Sequence, residues 1–200
     1  MGISLHISKE EVFGQLGCGS ESEAFATFEE EYEEIREEIL RICSPMILLR
    51  EGMLPQQNQP ALYVFATIGK RPEQLSTKAF DQGDYVKGML VDAAADAALF
   101  SMEQEIRDRV KQYCREHGTG IAKRLEAPEG MPMEMQKTIY DAVEGERFGI
   151  RISEGFMFDP VKSSAIAFLL TEDTSMMKAE HNCADCSAIN CAHRREKRQG

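Results

Sequence analysis

The sequence predicts an α+β domain built on an antiparallel sheet, followed by a short cysteine-rich tail. Helix-like and strand-like segments are mixed without the βαβ rhythm that a parallel sheet requires. The run ALYVFATI at 61–68 is apolar enough for a buried strand, and residues 164–170 form a second such run. The last twenty residues gather Cys183, Cys186 and Cys191 between His181 and His193 in a polar stretch with little apolar bulk to bury.

The elements follow in order. Ser8-Lys9-Glu10-Glu11 is a capping box and opens a short helix towards Gly17, where Gly17-Cys18-Gly19-Ser20 breaks it. Residues 21–43 form an acidic helix in which Phe25, Phe28, Tyr32, Ile35, Ile39 and Ile42 recur at spacings of three and four. That stripe faces the core, and the glutamates between form a solvated outer face. Ser44-Pro45 ends it. Residues 46–50 read as a strand, 55–60 as a polar loop and 61–68 as the apolar strand. Gly69 closes that strand, and Pro72 starts a helix towards Phe80.

Residues 85–117 read as one long helical tract. Its first half is rich in small residues and can pack closely on both sides; its second half is charged and amphipathic. Gly118-Thr119-Gly120 terminates it. An irregular loop is expected over 121–132, then a helix from Pro132 towards Val143. Two strands, 148–158 and 164–170, close the domain, joined through Asp159-Pro160-Val161-Lys162-Ser163.

Composition bounds the function. Hydrophobic residues make up 42% and charged residues 28%, as in an ordinary soluble domain of this size. A net charge of −11 argues against nucleic acid or an anionic membrane as partner. The basic run at Arg194, Arg195, Lys197 and Arg198 reads as a solvated terminus. No window reaches the 18 or so apolar residues that span a bilayer, and the first residues lack a secretory signal, so the expected location is the cytoplasm. Six cysteines in that compartment are expected to be reduced. Cys18, Cys43 and Cys114 lie in regular segments and read as buried small apolar residues.

The tail has the spacing C-x2-C-x4-C. Two thiolates of one tight turn, Cys183 and Cys186, can meet one ion at about 2.3 Å, and Cys191 follows closely enough to complete a three-thiolate face. This soft donor set suits zinc or an iron–sulfur cluster. His181 and His193 compete for the fourth place with a distant cysteine or an open position. The alternative is a set of reduced, unliganded cysteines.

Other motifs are absent. There is no G-x-G-x-x-G after a strand, no G-x-x-x-x-G-K-[ST] and no G-x-S-x-G, which removes the usual nucleotide and hydrolase signatures. Asp92 and Asp96 stand one helical turn apart. They read as a solvent-facing stripe on a half-buried helix rather than as an acid–base pair.

Several stretches resemble a known family. Ala66-Thr67-Ile68-Gly69 at a strand end, Gln82-Gly83-Asp84-Tyr85, the helix containing Leu90-Val91-Asp92, and 149–167 with its Asp159-Pro160 turn are similar to the activation domain of cobalamin-dependent methionine synthase. The resemblance covers roughly residues 11–170. It implies a bent antiparallel sheet packed by helices, with a domain over 1–178 and a metal-binding tail over 179–200. It also implies a free-standing homologue that acts on a partner, because the chain has no room for methyltransferase and cobalamin modules. That family binds S-adenosylmethionine and uses it with an electron donor to remethylate cobalamin that has fallen into the inert cob(II) state. Its methionine carboxylate is held by an arginine opening an R-x-x-P-G-Y loop. Arg124, ahead of Pro128 and Gly130, occupies the matching position, with Glu129-Gly130-Met131 where the family has Gly-Tyr.

Three functions remain open on these residues. The first is an accessory protein of corrinoid-dependent methyl transfer, docking on a cobalamin-bearing methyltransferase protein and supporting its reductive activation through the tail cluster. The second is an S-adenosylmethionine-binding methyl donor that uses Arg124, Pro128 and Gly130. The third is a non-catalytic module stapled by zinc.

Overall fold

Two neighbouring antiparallel strands, buried on both faces, organise the chain. In the computed structural model, which describes residues 2–55, 58–128 and 130–181, β2 (Gln59–Thr67) pairs with β6 (Ser163–Thr171) at the centre of a four-stranded sheet. β1 (Met46–Leu54) lies outside β2 and β3 (Gly120–Glu126) outside β6, all antiparallel, in the order β1-β2-β6-β3. Alternate side chains of the central strands enter two separate cores. Leu62, Val64, Ala66, Ile166 and Phe168 point into one, and Ala61, Tyr63, Phe65, Ala165, Ala167 and Leu169 into the other. An antiparallel strand covered on both sides reads as a continuous apolar run, which is why 61–68 stands out in the sequence.

The larger core is covered by helices. α1 (Lys9–Gln15) begins at Ser8, whose Oγ accepts from the Glu11 amide at 3.1 Å and donates to the Glu11 carboxylate at 3.1 Å, so Ser8 caps the helix and pairs with Glu11 as the motif predicts, side chain to side chain. α2 (Phe25–Ile42) buries Phe28, Tyr32, Ile35 and Ile39, four members of the expected stripe. It begins at Phe25 rather than Glu21, because residues 19–25 are taken up in turns closed by Ser22 N to Gly19 O at 2.9 Å and Phe25 N to Ser22 O at 3.0 Å. α3 (Arg71–Asp81) carries Pro72 in its first turn and packs on α4 (Tyr85–Ser101). There Gly88 lets Phe80 lie against the α4 backbone: a Cβ at 88 would meet the ring at 2.8 Å. The expected single helix over 85–117 divides at the buried Met102 into α4 and α5 (Glu103–His117). Gly118, at φ +63°, ends α5 as the glycines there predict.

The smaller core lies under α6 (Glu134–Ala142), which buries Met135 and Ile139, and under a two-residue hairpin of β4 (Arg151–Ile152) and β5 (Phe158–Asp159). Two sequence expectations are corrected. The strand expected over 148–158 is interrupted: a 3-10 turn occupies Gly145–Phe148, and the chain reverses where Ser153 N donates to Met157 O at 2.9 Å and Phe156 takes φ +63°. The loop expected over 121–132 is a strand for its first half, because the 120–126 backbone completes the ladder of β6.

β3 and the segment after β6 approach closely at Gly120, where a Cβ would stand 2.0 Å from Asp173 O and 2.7 Å from Met176 O. Both neighbours are backbone, so a side chain requires the turn itself to move. Gly120→Ala should therefore cost about 1–3 kcal/mol, lowering Tm by roughly 2–12 °C at this chain length. Calorimetric melting against wild type checks this; an unchanged Tm contradicts the close approach.

Candidate functional site

The residues singled out for ligand binding sit at the outer edge of the sheet. Arg124 lies on β3 instead of opening a loop, and the turn after it is closed by a Gly130 N to Glu126 O hydrogen bond of 2.8 Å. Gly130 lies against the strand it follows: a Cβ there would stand 3.3 Å from both Leu125 Cα and Glu126 N. Ala127–Pro128 is a cis peptide within this turn, and Glu129 lies outside the described residues.

The Arg124 guanidinium is not open to an incoming carboxylate. Its side chain is 7% exposed and forms a fork with Glu103 at the start of α5. Nη1 donates to Glu103 Oε1 and Nη2 to Glu103 Oε2 at 3.0 Å. Nη2 also reaches Glu126 Oε1 at 2.8 Å, and Nη1 donates to Ala179 O at 3.3 Å. Phe168 backs the guanidinium at 5.8 Å, and Arg107 touches the same Glu103 carboxylate at 3.4 Å. Burial opposes the charge on Arg124, but the hydrogen bonds and charges of Glu103 and Glu126 outweigh it and keep the group firmly cationic. Burial would likewise raise the Glu126 carboxyl, yet Arg124 and then His181 hold it below the usual carboxylate range. The buried Nε has no hydrogen-bond partner among the described residues. Both Nη groups of Arg124 are taken by Glu103, Glu126 and Ala179 O, so a carboxylate seeking the Nη1/Nη2 fork has to displace Glu103.

The chain returns to this edge after β6. Ile121 N donates to Met176 O at 2.9 Å and Lys178 N to Ile121 O at 3.0 Å, a parallel bridge between Ile121 and Met177. Arg124 then takes Ala179 O, and His181 Nδ1 meets Glu126 Oε2 at 2.6 Å. Ala179 is 1% exposed, so this returning segment packs into the core. Cys183, Cys186, Cys191 and His193 lie outside the described residues. Among the described residues no three His, Cys, Asp or Glu side chains converge as a cation site.

A second ionic cluster joins α4 to the turn before β6. Lys162 Nζ, on a side chain 10% exposed, stands 2.8 Å from Asp92 Oδ1 and 2.8 Å from Asp96 Oδ1. The two aspartates are partly exposed, as expected of a stripe, and act as the counter-charge of a buried lysine. Burial opposes the Lys162 charge, and the two carboxylates more than restore it. Cys18 and Cys114 are buried, as expected, and the half-buried Cys43 thiol is pushed up by burial to about 12, which leaves it unreactive at neutral pH. No described helix is long and apolar enough to cross a membrane. Glu103, Glu126 and Lys162 were not distinguished by the sequence, since each is one of many charged residues and its partner is remote in the chain.

Comparison with protein-family models and with curated protein sequences finds no match. Among solved structures, the MetH reactivation domain bound to AdoHcy is similar with a TM-score of 0.57, covering 91% of this chain and 82% of that chain at 12% identity. The likeness is one of fold: a mixed α+β domain whose antiparallel sheet is packed by helices.

Both ionic clusters should register in stability. Arg124→Met leaves two mostly buried carboxylates facing each other and should cost about 3 kcal/mol. Lys162→Met should cost less, about 1–2 kcal/mol, because Asp92 and Asp96 can rehydrate. Urea denaturation of the two variants checks the order, and Lys162→Met proving the more damaging contradicts it.

Proposed function

We propose that this chain is an accessory protein of corrinoid-dependent methyl transfer. It docks on a cobalamin-bearing methyltransferase protein in the cytoplasm and supports reductive activation of the corrinoid. Cys183, Cys186 and Cys191 hold a zinc ion or an iron–sulfur cluster in the tail over 179–200, appended to the activation-type domain over 1–178. What supports the reading most is the likeness of fold to the MetH reactivation domain along 91% of this chain. The filled fork at Arg124 favours an accessory role over that of a methyl donor, because the ligand carboxylate finds its cation already paired. The net charge of −11 also suits a protein partner better than a nucleic acid.

Cys183, Cys186 and Cys191 would hold an iron–sulfur cluster, which would serve as a one-electron donor towards the partner's cob(II)alamin. The protein's part is to fix the segment over 176–181 that precedes the cysteine run. Arg124 does so through Ala179 O, and Glu126 through His181.

A second reading, S-adenosylmethionine binding at Arg124, Pro128 and Gly130, is favoured by the AdoHcy bound to the neighbouring structure. It requires the ligand carboxylate to replace Glu103 on the Arg124 fork.

Iron and zinc content with an absorption spectrum, measured on protein purified without oxygen, tests the first reading. Iron with a broad visible band bleached by dithionite is the expected result, together with faster loss of the cob(II) spectrum of a cobalamin-bearing partner. Zinc without redox activity leaves the stapled module. Titration calorimetry with AdoHcy tests the second reading: heat that disappears in Arg124→Ala establishes it, and its absence from the wild-type chain removes it.

A further inference from the structure

The carboxylate that fills the Arg124 fork has a second partner within reach. Glu103 Oε1, which accepts from Arg124 Nη1, also accepts from Arg107 Nη1 at 3.4 Å. We infer that Glu103 is a gate on the Arg124 fork, turning to Arg107 when a zwitterionic amino-acid head group binds and disfavouring ligands that bring a bare carboxylate. The gate deepens the second reading above and rests on it, since its use depends on a ligand of the AdoHcy kind binding at Arg124.

Glu103 opens α5, and Arg107 follows one turn later, an i,i+4 pair whose spacing the helix fixes. Rotation of the Glu103 side chain therefore moves its carboxylate from one guanidinium to the other without a change of backbone. Arg107 is suited to receive it. Its side chain is 10% exposed, and its Nη2 donates to Gln104 Oε1 at 2.6 Å, which holds the guanidinium when Glu103 turns. The first turn of α5 also favours the moved charge, because the N-cap Met102 offers no side-chain acceptor to the amides there. Arg124 is held from other sides as well. Nη2 donates to Glu126 Oε1 at 2.8 Å, Nη1 to Ala179 O at 3.3 Å, and Phe168 backs the guanidinium. The donors that Glu103 vacates are thus the pair that a ligand carboxylate needs. Charge sets what enters. Arg107 and Arg124 are matched by Glu103 and Glu126, two cations against two carboxylates. A bare carboxylate adds a further negative charge to this mostly buried group, whereas an amino-acid head group brings its own ammonium and preserves the balance. Glu103 is in this way a filter on charge as well as a competitor for the fork.

The test is titration calorimetry of the full chain with AdoHcy and with 5′-methylthioadenosine, the same nucleoside thioether without the amino-acid group. Wild type is compared with Glu103→Gln, Glu103→Ala and Arg107→Met, each shown to be folded by its melting transition. Removing the competing carboxylate should tighten AdoHcy binding by about tenfold or more, as for a fork open in no more than about one molecule in ten. Affinity for 5′-methylthioadenosine should stay at the wild-type value. Arg107→Met should weaken AdoHcy binding by roughly two- to tenfold, the scale of one modest hydrogen bond, because Glu103 then has no second partner. AdoHcy lacking its ammonium, 5′-S-(3-carboxypropyl)-5′-thioadenosine, should bind wild type more weakly than AdoHcy, and the gap should narrow in Glu103→Gln. If one Glu103 variant does not fold, the other and Arg107→Met carry the test. Unchanged or weaker AdoHcy binding in the Glu103 variants overturns the inference, as does a gain shared equally by 5′-methylthioadenosine. The second reading then still stands if the wild-type heat is lost in Arg124→Ala. Heat from Glu103→Gln where wild type gives none upholds the gate and removes that reading for the wild-type chain. No heat from any of these proteins removes both.

Discussion

Pairing β2 with β6 while both their faces are buried forces the rest of the architecture. Every residue from Ala61 to Thr67 is excluded from solvent, as are Ala165 to Leu169, so neither strand has a face to offer water. Each buried aliphatic or aromatic side chain contributes about 1.5–3 kcal/mol, but only if apolar cover is present on its own side. The larger core obtains that cover from the helices before and after β2, including the alanine-rich middle of α4, where Ala94, Ala95, Ala97 and Ala98 are all at or below 1% exposure. The smaller core obtains it from α6 and the β4–β5 hairpin. With the middle of the sheet covered in this way, charged chemistry is displaced to its margins, and both ionic clusters are found there.

Those clusters differ in what they hold. Lys162 joins the turn before β6 to α4, and its removal leaves aspartates that water can reach. Arg124 joins three separate pieces of chain: the start of α5 through Glu103, its own strand through Glu126, and the returning segment through Ala179 O. A guanidinium can do this because its donors are planar and fixed in direction. A lysine at 124 would supply one point of charge where three carboxylate oxygens and a carbonyl are now engaged.

The parts of the fold legible in the sequence are those set by local chemistry or by burial on a simple period. The Ser8 cap, the α2 stripe, Pro72 in the first turn of α3, Gly118 after α5 and the ALYVFATI strand belong to that group. β3 escapes because its alternation is broken by a register shift between Ile121 and Lys123, and because Gly118, Gly120 and Pro128 around it look like loop punctuation. β4 and β5 are two residues each, too short for any period to appear. Resemblance singles out Arg124 as opening a loop, whereas it stands on β3, and its partners could not be read from the sequence. Glu103 lies on a different element, and the approach of Ala179 and His181 depends on where the chain goes after β6. The cysteine run is read from spacing and remains a sequence reading.

The segment from Met176 to Lys178 also changes what kind of border the sheet has. A bare outer strand offers a row of amides and carbonyls to any other extended chain, including a copy of itself. Here Ile121 gives its amide and its carbonyl to the chain's own returning backbone. At Ile121, addition of a further strand is thus opposed by backbone already in position. The short segment that leaves β6 thereby serves as edge protection for β3 as well as ballast for the core, where Ala179 is buried.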